Sequence, residues 1–211
     1  MDLKDLKSTI QVLEQLKNPV NQKKIAKIRK RIEEECYAEE PNSFWHKKQY
    51  SVELPYKAEY TGRPCKNRAI PMNKEYSDLC EKEIKQLLEK KLIIEYDIPW
   101  NCYGFYVNKR AEQIRGTPRS VISYKPLNSV LADNTYPIPH KEDLIGRISG
   151  AKIFSKFDLK SGFWQVAIAK IDKFKTAFSV PAGHYEWNVM PFGLKHAPSK
   201  FQKVMDSIFK P

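Results

Sequence analysis

Cysteine is scarce in this chain. The 211 residues hold four, Cys36, Cys65, Cys80 and Cys102, and no two form a Cys-x-x-Cys pair. A zinc site needs clustered ligands, and His46, His140, His184 and His196 do not supply them. Four separated thiols read as reduced cysteines of an intracellular protein. No apolar run approaches the roughly 20 residues that cross a bilayer, so no membrane partner is expected. The N-terminus, MDLKDLKSTI, lacks an apolar core behind its charges, which argues against a secretory signal. Internal repeats and low-complexity tracts are missing as well. With 41% hydrophobic and 29% charged residues, the composition excludes a disordered chain and suits one large or two small domains.

Acidic residues are the minority, 25 against 37 basic ones, for a net charge of +12. The excess is uneven. Residues 1–50 carry +3, residues 51–103 are neutral, and residues 104–211 carry +9. A basic half of this kind either binds a phosphate backbone through counterion release or forms a solvated, solubilising face.

Residues 2–17 place Leu3, Leu6, Ile10, Leu13 and Leu16 at helical spacing, and Asn18-Pro19 breaks the pattern. Ile25, Ile28 and Ile32, set among lysines and arginines, mark a second amphipathic helix. Such a basic helix can touch nucleic acid, although packing on its neighbour is the reading that the pattern favours. Pro41-Asn42 begins an irregular stretch, and residues 51–54 alternate like a short strand. Asn73 is the expected N-cap of a helix whose apolar face is Cys80, Ile84, Leu87, Leu88 and Leu92. From residue 100 the texture becomes strand-like. Strands are expected at 102–107 and 119–124 around a basic loop, then at 153–159, 166–169, 176–180 and 185–190. Short helices are expected at 141–148 and after Pro198, the latter with Phe201, Met205, Ile208 and Phe209 on its apolar face.

One phrase, Phe154-Ser155-Lys156-Phe157-Asp158-Leu159-Lys160-Ser161-Gly162-Phe163-Trp164-Gln165-Val166, sets a carboxylate at the end of an apolar strand before a glycine turn. Alone, such an aspartate either caps the turn or holds a metal, and the cap is the commoner outcome. The phrase does not stand alone. Tyr185-Glu186-Trp187-Asn188-Val189-Met190-Pro191-Phe192-Gly193-Leu194-Lys195 follows it, then Ala197-Pro198 and Phe201-Gln202. Upstream lie Phe105-Tyr106-Val107-Asn108-Lys109, Pro118-Arg119-Ser120-Val121-Ile122-Ser123-Tyr124-Lys125-Pro126-Leu127-Asn128 and Tyr136-Pro137-Ile138-Pro139. In this order the words closely resemble the reverse transcriptases of plant pararetroviruses, the caulimovirus group, and more distantly those of gypsy-type retrotransposons. Pro41-Asn42-Ser43-Phe44-Trp45 resembles the stretch that precedes the polymerase in those polyproteins.

The resemblance implies an α+β fold: the fingers and partial palm of a right-hand polymerase, truncated, and preceded by N-terminal helices. Residues 1–40 would form a helical linker region, 41–74 an extended segment before the polymerase, and 75–211 the fingers and first half of the palm. It further implies an RNA-directed DNA polymerase, with RNA/DNA template-primer and deoxynucleoside triphosphates as partners and two Mg²⁺ ions as cofactor. Asp158 would be the first catalytic aspartate and metal ligand, with the backbone carbonyl of Leu159 completing the shell. The two ions would sit about 3.5–4 Å apart and stabilise the attacking and leaving oxygens. Phe163 would be the steric gate that leaves no room for a 2′-hydroxyl. Lys109 and Arg119 would grip the triphosphate, a task suited to a point charge and a bidentate fork. Phe192 and Gly193 would pack near the nascent base pair, with Pro191 and Lys195 toward the template-primer.

The family's Tyr-x-Asp-Asp word would lie some tens of residues beyond Phe201-Gln202. No such word and no Asp-Asp pair occur in the 211 residues. One carboxylate cannot neutralise two divalent cations, so the chain alone is expected to be inactive, its missing partners being the rest of the palm, the thumb and ribonuclease H. The alternative is a non-catalytic nucleic-acid-binding remnant of an integrated viral element. The parent polyprotein is expected in the cytoplasm or a virus-like particle.

Overall fold

The computed structural model describes residues 3–36, 50–62, 70–97, 100–107, 118–134, 136–155 and 158–209. Lys109, all but Pro118 of the expected basic loop 109–118, and the word at 41–45 lie outside the described residues.

Two helices open the chain, α1 (Leu3–Lys17) and α2 (Pro19–Arg31), followed by one π turn at Ile32–Cys36. Asn18 divides them because its side chain accepts from Val20 N at 2.9 Å, capping α2, while Pro19 sits at the first helical position. Helix α3 (Lys74–Glu89) begins as the sequence predicts, with the Asn73 side chain accepting from Tyr76 N at 2.8 Å. It buries Cys80 and Ile84 and half-buries Leu87 and Leu88, one face at the 3.6-residue period.

A five-stranded mixed sheet follows: β2 (Ile93–Glu95), β3 (Cys102–Val107), β4 (Arg119–Ser123), β6 (Phe178–Val180) and β7 (Gly183–Trp187), in the order β2-β7-β6-β3-β4. Strands β3 and β4 pair antiparallel from Tyr103↔Ser123 to Val107↔Arg119, which puts Arg119 at the far end of the hairpin. Strand β6 joins β3 in parallel, with Cys102 opposite Phe178. Gly183 turns the β6–β7 hairpin at φ +145°, and a Cβ there would meet the Tyr185 hydroxyl at 2.8 Å. That hydroxyl donates to Ala182 O at 2.9 Å, so the tyrosine closes its own turn. A separate parallel pair joins β1 (Ser51–Val52) to β5 (Ala167–Ile168). Helices α4 (Lys125–Val130), α5 (Lys141–Ile148) and α6 (Ala197–Phe209) complete the described elements.

The 3-10 segment Lys170–Thr176 ties these pieces together. Asp172 and Lys175 form a buried ion pair at 2.6 Å. Leu54 N donates to Asp172 Oδ2 at 2.7 Å, and Lys175 Nζ donates to Leu54 O at 2.7 Å. The ammonium also lies 4.0 Å from the centroid of the Tyr56 ring, a cation–π contact. Trp100 Nε1 donates to Lys175 O and the Tyr124 hydroxyl to Thr176 O, while Trp187 N donates to Thr176 Oγ1.

The described residues of the expected strand 153–159 form no strand. Residues 153–155 and 158–159 are irregular, and Ile153 is 75% exposed. A strand needs a ladder partner for its N–H and C=O groups, and among the described residues none lies beside this stretch. The expected strand 166–169 shrinks to Ala167–Ile168. Phe209, placed on the apolar face of the last helix, is instead exposed.

Asp172→Ala leaves the Lys175 ammonium buried without its counter-charge, so urea unfolding should report a loss of about 3–5 kcal/mol.

Candidate functional site

A cavity of about 830 Å³ opens between α3 and the sheet. Its walls come from five separated parts of the chain: Glu83, Ile84 and Leu87 of α3; Tyr106 and residues 119–122 of the β3–β4 hairpin; Trp164; Phe178 and Val180 of β6; and Trp187 with Pro191, Phe192 and Gly193. Four residues singled out from the sequence, Arg119, Pro191, Phe192 and Gly193, therefore line one space although some seventy positions separate the first from the rest. Arg119 is exposed at the start of β4.

The turn 191–193 is held by α4. Gly193 takes φ +94°, a left-handed conformation, with Tyr124 Cδ2 3.4 Å from where a Cβ would stand. Asn128 then clamps both sides of the turn: its Nδ2 donates to Gly193 O at 2.9 Å, and its Oδ1 accepts from Lys195 N at 2.9 Å. Lys195 Nζ donates to Leu131 O at 2.8 Å and to Asp133 Oδ1 at 2.9 Å. That bond, followed by the ammonium's charge, holds the Asp133 carboxyl below its usual range. The Lys195 ammonium is thus already engaged by its own chain.

Phe163 lies in the 3-10 helix Gly162–Gln165, which Ser161 enters in the left-handed region at φ 50°. Its ring stands 5.2 Å from that of Phe192 and 5.4 Å from that of Phe201. The row continues, since Trp164 is 6.0 Å from Phe192 and 5.7 Å from Trp187, and Trp187 is 5.8 Å from Phe178. Tilted rings at 4.5–7 Å attract beyond simple area burial. The sequence reading missed Trp164 and this row. The available signal was the adjacent pair Phe163-Trp164, but nothing local tells which distant rings it meets.

Asp158 is exposed, and among the described residues no hydrogen bond or ion pair engages its carboxylate. It does not line the cavity. Leu159 beside it is half exposed. Among the described residues no three His, Cys, Asp or Glu side chains come together to hold a metal ion. The described residues therefore do not fit a pair of Mg²⁺ ions, which needs several anionic oxygens.

The far wall of the cavity has its own chemistry. The Tyr106 hydroxyl donates to Glu83 Oε2 at 2.7 Å. Burial raises the Glu83 carboxyl above its ordinary value, partly opposed by that hydrogen bond. Burial, with Glu83 next, pushes the neighbouring Cys80 thiol up to about 11, so it stays protonated at neutral pH.

Residues 107–211 match the sequence pattern described as "Reverse transcriptase (RNA-dependent DNA polymerase)". The chain is 48% identical over 167 residues to the genome polyprotein of Petunia vein clearing virus, covering 79% of this chain and 8% of that one. It is 42% identical over 195 residues to the enzymatic polyprotein of Cauliflower mosaic virus (strain Strasbourg), covering 90% of this chain and 28% of the relative. The putative enzymatic polyprotein of Cassava vein mosaic virus is 37% identical over 203 residues, covering 92% and 30%. The chain thus spans less than a third of the length of these relatives. Among solved structures, the foamy viral protease-reverse transcriptase in complex with RNA/DNA hybrid superposes with a TM-score of 0.59 at 20% identity, over 76% of this chain and 21% of that one. At that identity the likeness establishes the fold.

Two outcomes test the site's construction. Asn128→Ala removes both clamps on the turn, and thermal or urea unfolding should show a loss of about 1–3 kcal/mol, two hydrogen bonds' net worth. Glu83 has a folded-state pKa above its unfolded one, so the folded state binds the extra proton and stability falls as pH rises through that window. The stability gain of Glu83→Gln over the parent, measured by urea midpoint, should therefore grow from acidic to neutral pH.

Proposed function

From the premise that this chain belongs, through residues 107–211, to the reverse transcriptase family, we propose that it is the fingers and first part of the palm of a pararetroviral RNA-directed DNA polymerase. The parent enzyme copies RNA into DNA by nucleotidyl transfer, and this portion contributes nucleotide and template contacts without completing the catalytic centre. One observation carries the reading: Arg119 from the fingers hairpin and Pro191-Phe192-Gly193 from the palm turn line a single cavity.

Each residue has a task in this proposal. Arg119, exposed at the hairpin end, meets the triphosphate together with Lys109. Phe192, 45% exposed, offers an aromatic surface to the nascent pair, and Gly193 lets the backbone approach it. Phe163, lodged between Phe192 and Phe201, is the sugar-side gate, its position set by the two rings that flank it. Pro191 shapes the turn on the template side. Lys195 reaches the template-primer only by exchanging Asp133 for a phosphate. Asp158 and the Leu159 carbonyl are assigned to magnesium in the complete polymerase. No catalytic step is assigned to them here, because the described residues do not make a two-ion site. Residues 75–211 form the polymerase portion, 41–74 the extended approach and 1–40 a helical linker, with the parent polyprotein in the cytoplasm or a virus-like particle. The solitary exposure of Asp158 favours a second reading, a remnant that binds nucleic acid without chemistry.

Primer extension with Mg²⁺ separates the two. The 211-residue chain should give no template-dependent product. A version continued through a Tyr-x-Asp-Asp hairpin should extend the primer, and Asp158→Asn in that version should cut the rate by about a thousandfold or more, the several kcal/mol that a metal site supplies. Synthesis by the unextended chain overturns the inactivity. No synthesis by the extended chain favours the remnant.

A further inference from the structure

We infer that α2 carries a phosphate-binding stripe that holds a nucleic-acid backbone, outside the polymerase residues 107–211. Between Pro19 and Arg31 the helix holds six cations, Lys23, Lys24, Lys27, Arg29, Lys30 and Arg31, and no acidic residue. At 3.6 residues per turn, five of the six, all but Arg29, fall within about a third of the helix circumference. From Lys23 to Arg31 the stripe is about 12 Å long at 1.5 Å per residue. That length faces three to four phosphates of one strand, roughly 3.4 Å apart along the duplex axis.

Ordinary explanations cover only part of this. Cations in the last turn favour the helix dipole, which accounts for Arg29, Lys30 and Arg31 but not for Lys23, Lys24 and Lys27. A merely solvated face interleaves both signs, whereas like charges at i and i+4, such as Lys23/Lys27 and Lys27/Arg31, repel. No α2 residue is buried. Among the described residues only Lys30 of the stripe has an ion pair, a loose 3.7 Å contact to Glu34 with both side chains mostly exposed. Among the described residues the stripe is therefore a row of charge with one loose partner, held in register by a capped helix, and a phosphate backbone relieves the repulsion while releasing its own counterions. An anionic membrane is a poorer match. A helix lying in a bilayer surface presents a broad apolar face with aromatic anchors, and α2 offers Val20, Ile25 and Ile28 without an aromatic residue.

The test uses the whole 211-residue chain and a fluorescent RNA/DNA hybrid, with binding read by anisotropy between about 50 and 200 mM salt. The comparison is a variant carrying Lys23→Gln, Lys27→Gln, Lys30→Gln and Arg31→Gln; glutamine is as good a helix former as lysine, and circular dichroism verifies that the helix persists. The slope of log affinity against log salt should fall by about 3 in the variant, at about 0.9 for each phosphate that is no longer neutralised. An unchanged slope overturns the inference. So does equal hybrid binding by both proteins when only the parent binds phosphatidylserine vesicles. Arg119→Gln is run alongside and should lower the slope by about 1 if the cavity meets phosphate; a null result for it counts against the polymerase assignment and leaves the α2 stripe standing.

Discussion

Much of the described structure depends on one buried ion pair. Asp172 and Lys175 take the two backbone polar groups of Leu54, one each, so that an irregular stretch far away in sequence is fastened to the sheet by opposite charges. A buried pair is not in itself a large source of stability, because desolvating two ions costs several kcal/mol. Here its remaining capacity is filled by backbone groups and by the face of Tyr56, the condition under which such a pair is tolerated. The carbonyls of the same short segment receive the Trp100 indole and the Tyr124 hydroxyl, and the Thr176 hydroxyl accepts from β7. This 3-10 segment is the point where the sheet, α4 and the stretch around Leu54 meet.

That arrangement explains how the cavity keeps its shape. Tyr124, anchored on Thr176, also backs Gly193, and Asn128, one turn further along α4, clamps the turn from both sides. The turn 191–193 is therefore positioned by residues some seventy places earlier, through a helix of six residues. The aromatic row from Phe201 to Phe178 spans the same region, so a shift of Phe192 has to be accommodated by Phe163 and Trp164 together.

Local patterns were legible in the sequence wherever local physics decides. The Asn73 cap, the apolar face of α3, the Asn18-Pro19 break and the β3–β4 hairpin all follow from propensity, capping and period. The words around Arg119 and Pro191–Gly193 indicated residues that do share one cavity. Less was visible where the partner is remote. The parallel register of β6 on β3, the ion pair gripping Leu54 and the Asn128 clamp are contacts between segments tens of residues apart, and no periodicity encodes them. The described residues of the strand expected at 153–159 stay irregular for the complementary reason: an apolar stretch becomes a strand only beside a neighbouring ladder.

The fastening of Leu54 also bears on where this protein can be divided. The recognised sequence pattern starts at residue 107 and the first of the polymerase words at Phe105, yet the backbone that satisfies Asp172 and Lys175 belongs to residue 54, and β1 runs beside β5 from Ser51. A cut just ahead of Phe105 would strip two embedded charges of their escorts while leaving every motif from 105 onward intact. The cooperative unit and the motif-bearing unit are thus different lengths of chain, and a proteolytic or recombinant boundary that respects the first has to fall upstream of Tyr50.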